Sequence, residues 1–299
     1  MKRPFAIAAA LGLAAGALAP AARATTTQGV FAFDSDIAIW MVAASGGEPQ
    51  EVQPNDDLDE AWELHPDLSP DAGKLALTRR VDGNWDIWTM GADGSNPVQL
   101  TRSAGREWTP DWSPDGRRIA FASNRTGKYA LYVMASDGTK KRLVTDAFGW
   151  AGRPSWSPDG KRIAFGAKRE GNYDLYSIRP DGSRVRRITR AANRDFSPSW
   201  SPDGRHVAFI GSDPVWAEKP FVVAARGGDR QRVELTDCDD ECYVGSITWS
   251  PDGKSVAVSY VREETLAWYL VEVDLTTGEE RPVVDSGHSI GTITWGPEE

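Results

Sequence analysis

The chain has 299 residues, 40% of them hydrophobic and 26% charged, with 43 acidic residues against 34 Lys and Arg and a formal net charge of −9. That balance argues against a nucleic-acid partner, because such binding is driven by Lys and Arg neutralising phosphates. The length is too great for a minimal domain but ordinary for one large β architecture.

At the N-terminus, Lys2 and Arg3 precede an apolar run from Phe5 to Leu18, and Ala22-Arg23-Ala24 leads into Thr25. A short positive region, a hydrophobic region and a small-x-small site predict a secretory signal peptide over 1–24, leaving 25–299 as a single domain. The run is shorter than the roughly 20 residues that a membrane span needs, and no later stretch is apolar enough to cross. The expected location is therefore exported, periplasmic or extracellular, after cleavage near Ala24.

From residue 68 onward a five-residue word returns. It reads Trp112-Ser113-Pro114-Asp115-Gly116, then Trp156 to Gly160, Trp200 to Gly204 and Trp249 to Gly253, with a degenerate copy from Leu68 to Ala72 and a clipped one from Trp295 to Glu298. The first positions, 68, 112, 156, 200, 249 and 295, recur at a period typical of propeller blades. Within the word, Pro fixes one turn dihedral, Asp bonds its own backbone and Gly tolerates the exit geometry. A strand such as Ile119-Ala120-Phe121 follows it, then a third such as Leu131-Tyr132-Val133, and an Asp-Gly hairpin leads to a fourth ending in Leu-Thr or Val-Thr.

The N-terminal unit, Val30 to Val52, lacks a tryptophan-bearing strand, whereas Gly291 to Trp295 supplies one with nothing after it. The predicted fold is therefore all-β: a six-bladed β-propeller of four-stranded antiparallel blades, closed by the C-terminal strand completing the N-terminal blade. The repeat tryptophans read as core, since a large ring packed between blades contributes about 2 kcal/mol through burial. Cys238 and Cys242 sit close together and predict a local disulfide in an exported chain.

The Trp-Ser-Pro-Asp-Gly word with its Ile-Ala-Phe-like strand and closing Leu-Thr resembles the Pro-Asp repeat of TolB-like β-propellers over nearly the whole mature chain. That resemblance implies an exported six-bladed propeller that binds a protein partner at one end of its channel. Some related propellers are fused to serine hydrolases, whose nucleophile elbow sits on a strand-to-helix turn. Lyases acting on uronic-acid sugars use a similar propeller with a histidine-rich metal site.

Candidate site residues lie in the unlike loops just before each repeat tryptophan: Trp62, Glu63, His65, Glu107, Trp108, Trp150, Arg153, Asp195, Phe196, Tyr243 and His288. Convergent aromatics with a few polar groups are what a pocket or a protein hot spot requires. The alternative is that the rings pack between blades and the carboxylates are merely solvated. Arg153 could pair with Glu107 or hold an anionic group of a partner. His65 and His288, with Glu63, could hold a metal, but three histidines in the whole chain make polar roles the stronger expectation. The expected function is a non-catalytic monomer without a cofactor that binds a protein or peptide. Carbohydrate binding, or metal-dependent carbohydrate cleavage, is the alternative.

Overall fold

The structure, a computed structural model, describes residues 29–54, 61–190, 194–212, 218–236, 238, 242–262, 264–286 and 289–297. The predicted signal peptide and His288 lie outside the described residues. Six sheets of four antiparallel strands form the ring, and no helix among the described residues is long and apolar enough to cross a membrane. The innermost strands are Trp62–Leu68, Glu107–Trp112, Trp150–Trp156, Asp195–Trp200, Cys242–Trp249 and Ile293–Gly296.

The last of these joins the first blade, as expected. Phe31 pairs with Trp295 and Phe33 with Ile293, so the C-terminal strand is edge-bonded to Val30–Ser35. The Asp34 carboxylate accepts the Thr292 N–H at 2.8 Å, and the Ser289 hydroxyl lies 3.1 Å from an Asp36 carboxylate oxygen. Numbered from that composite sheet as blade one, blades two to six follow in chain order.

The recurring word builds the turn that its residues dictate. Ser113 Oγ donates to Asp115 Oδ1 at 2.6 Å and accepts the Arg118 N–H at 2.9 Å, while Gly116 closes the turn at φ 66°. The same Ser–Asp bond recurs at Ser69, Ser157, Ser201 and Ser250. Between blades lie clusters of buried apolar side chains, into which Trp112, Trp156, Trp249 and Trp295 are packed; Trp200 is partly buried. Cys238 and Cys242 form the predicted disulfide, with Cα atoms 5.3 Å apart.

Candidate functional site

The innermost strands are not regular. In blades two to five the register shifts three and two residues before the repeat position, at His65-Pro66, Thr109-Pro110, Arg153-Pro154 and Ser197-Pro198. The first residue of each pair has a positive φ, from 51° to 54°. Neither its side chain nor the following proline favours that conformation, so each bulge stores about 1–3 kcal/mol that its surroundings must hold. Backbone bonds do so: the His65 N–H donates to Asp34 Oδ1 at 3.3 Å and the Thr109 N–H to Thr78 Oγ1 at 3.1 Å. The result is that His65, Thr109, Arg153 and Ser197 line the axial channel, a cavity of about 100 Å³ walled by all six innermost strands.

One residue before the repeat position, polar side chains latch neighbouring blades around this channel. Asp67 accepts the Trp112 N–H at 2.6 Å and the Thr294 hydroxyl at 3.0 Å, Asp111 accepts the Trp156 N–H at 2.7 Å, and Ser155 accepts the Trp200 N–H at 3.3 Å. Burial pushes the Asp67 carboxyl up to about 7 and the Asp34 carboxyl to about 6. Burial, then the neighbouring charge of Asp67, raises Asp111 well above the carboxylate range. Burial and the nearby Arg153 charge lower the His65 imidazole to about 3, so it is neutral at ordinary pH. No group of three His, Cys, Asp or Glu able to hold a metal occurs among the described residues.

The three rim carboxylates expected before the tryptophans lie beneath the mouth and are neither exposed nor solvated. Glu63 pairs with Arg79 at 3.0 Å, Glu107 with Arg125 at 2.5 Å and Asp195 with Arg230 at 3.0 Å, each inside its own blade, and the acids are 5%, 0% and 0% exposed. Glu107 is thus engaged by Arg125 and by the Ser103 and Ser123 hydroxyls, and Arg153 instead donates to Ser197 Oγ at 2.5 Å. Burying a carboxylate is costly unless it is paired or hydrogen-bonded, and here arginines of the same blade supply the partner.

The aromatics behave differently. Tyr243 is 56% exposed and Trp62 41%, while Trp108, Trp150 and Phe196 are partly exposed at the same mouth. A second tier of rings accompanies them at the start of the third strands: Trp85, Tyr129, Tyr173 and Trp268, which sequence reasoning missed. Strand register places the two tiers together, because first and third strands run parallel across the second. The rows are Trp62-Arg80-Trp85, Trp150-Lys168-Tyr173 and Tyr243-Val261-Trp268.

The mouth thereby divides into two parts. On one side Trp108 stacks on Trp85 at 4.7 Å, His65 meets Trp108 edge-on, and Arg80 lies 5.0 Å over Trp62. On the other, blades four to six enclose a pocket of about 460 Å³ whose walls include Trp150, Tyr173, Phe196, Tyr243 and Trp268. Gly152 and Gly245 make room for its rings, since a Cβ at either would stand 2.9 Å from Trp150 or 3.1 Å from Trp268.

These features define a six-bladed propeller with an aromatic mouth at one end of its channel. The sequence matches the TolB beta propeller domain over residues 59–147 and 139–298, and the chain belongs to that family. No curated protein matches it. Among solved structures it is similar to TolB from Acinetobacter baumannii, at 20% identity and a TM-score of 0.76, covering 91% of this chain and 68% of that one. It is also similar to a chain of a nidogen/laminin complex, at 14% identity and a TM-score of 0.71 with 89% and 98% covered. Oligogalacturonate lyase from Vibrio parahaemolyticus shares 14% identity at a TM-score of 0.56, with 87% and 74% covered. At these identities the likeness is one of fold.

Proposed function

We propose that this chain is a non-catalytic exported propeller that receives a protein or peptide at the aromatic mouth of its channel. The observation that carries this reading is the pairing of solvent-facing rings, Trp62 and Tyr243, with a concave aromatic pocket on the same face. Large rings held by a rigid scaffold present contact area at little entropic cost and are the usual anchors of a protein interface. The signal-like N-terminus and the Cys238–Cys242 disulfide support an oxidising compartment. Family membership supports the binding role.

The test is capture of partners from an envelope or secreted extract by the purified protein and by a Trp108→Ala, Trp150→Ala double variant. A partner held by the parent and lost by the folded variant is the expected result; retention by both would contradict the reading. A second reading, carbohydrate binding, is favoured by exposed Trp62 and partly exposed Trp108, which flank buried Trp85 and are rings of the kind that sugars cover. Binding on a glycan array, with no captured protein, would favour it instead.

A further inference from the structure

The six positions before the repeat tryptophans alternate in character at the mouth. Six residues upstream of the repeat position stand Trp62, Arg106, Trp150, Arg194, Tyr243 and Ser289. Arg194 therefore occupies a place where the flanking blades carry a ring. Its guanidinium carbon lies 5.8 Å from the Phe196 ring, and the guanidinium carbon of Arg153, from the neighbouring blade, lies 5.8 Å from the same ring. Both arginines line the aromatic pocket.

Neither forms an ion pair among the described residues. Arg153 is partly buried and bonds only the Ser197 hydroxyl, leaving most of its five donors unused. Among the described residues the Arg194 side chain makes only ring contacts, to Tyr173 and Phe196. Three arginines beneath this mouth, Arg79, Arg125 and Arg230, each have a carboxylate partner. Two cations converging on one ring repel each other, and a partly buried unpaired charge is unfavourable. The one acid in the pocket wall, Glu218, forms no ion pair with either, although both arginines pull its carboxyl pKa down against the burial that raises it. Glu218 and, from the channel side, Asp34 both act electrostatically on Arg153 without forming an ion pair with it, while Arg194 faces only Glu218 among these acids.

We propose that Arg153 and Arg194 form a carboxylate seat, which takes an acidic side chain of the bound peptide while the surrounding rings take an adjacent apolar one. This rests on the peptide-binding reading above and adds the chemistry of the ligand to it. The planar guanidinium fork suits a carboxylate geometrically. The walls fit a folded-over peptide side chain better than a flat sugar: Trp150 and Tyr173 meet at 62°, edge to face, and offer no open parallel platform.

The experiment is selection of a displayed random peptide library on the purified full chain, then calorimetric titration of the enriched peptide and of a copy with its acids changed to amides. The acid form is expected to bind at least about tenfold more tightly than the amide form. In Arg194→Gln, an exposed position that leaves the blade intact, that advantage should disappear. Arg153→Gln, if it folds, should do the same. Equal affinity of acid and amide forms, or an advantage that survives Arg194→Gln, would overturn the seat and leave peptide binding at the mouth standing. Enrichment of no peptide, with or without binding of digalacturonate, would overturn both.

Discussion

At the scale of single residues, the channel carboxyls and the ion-paired acids below the mouth have opposite uses. Asp67 latches blades two, three and one through the Trp112 N–H and the Thr294 hydroxyl, in surroundings that raise its pKa to about 7. An acid whose pKa rises on folding favours the fold while it is protonated. Its contribution is complete below the ordinary value of 3.8 and is lost as pH rises through about 7. Asp67→Asn should therefore look more favourable, relative to the parent, at about pH 8 than at about pH 5. Paired thermal melts check this; a difference in Tm between the two proteins that does not change with pH would contradict it.

Glu107 is wholly buried against Arg125, Ser103 and Ser123. Glu107→Ala leaves a partly buried guanidinium without its partner and should cost about 3–5 kcal/mol in urea unfolding. A loss below about 1 kcal/mol would match a merely solvated rim acid. These ion pairs were not legible in the sequence because the partners keep no fixed offset. Arg125 follows Glu107 by 18 residues, and Arg230 follows Asp195 by 35. A carboxylate five residues before a repeat position marks a place on the strand, and burial depends on which arginine the blade happens to bring over it.

At the scale of elements, the fold was readable almost strand by strand, since the Trp-Ser-Pro-Asp-Gly word fixes one turn and therefore the phase of every blade. The composite first blade follows from the same phase, and the pairing of Phe31 with Trp295 bears it out. Removing residues 288–299 strips the first blade of its innermost strand and exposes the edge of Val30–Ser35. The truncated chain should fail to give a cooperative melt or should aggregate; melting indistinguishable from the full chain would contradict the closure. The bulges were not foreseen. A positive φ before proline runs against local preference, so only the packing of neighbouring blades, through Asp34 and Thr78, selects it. The second tier of aromatics was within reach: aligning the repeats sets Trp85, Tyr129 and Tyr173 at one offset from the repeat position, with Trp268 two residues further on.

At the scale of the whole molecule, the two ends of the ring are chemically unlike. One end carries the repeated Ser-Pro-Asp-Gly turns, nearly identical from blade to blade and satisfied by their own Ser–Asp bonds. The other carries unlike loops, exposed rings, and Arg153 and Arg194, which have no ion-pair partner among the described residues. Repetition serves closure of the ring, and the departures from repetition collect where a partner can reach them. The most direct measurement is hydrogen exchange of the protein with and without a captured partner. The account predicts protection confined to the innermost-strand starts and third-strand starts around Trp62, Trp108, Trp150, Phe196 and Tyr243. Protection centred on the turns at Asp71, Asp115, Asp159, Asp203 and Asp252, with the aromatic mouth unchanged, would contradict it.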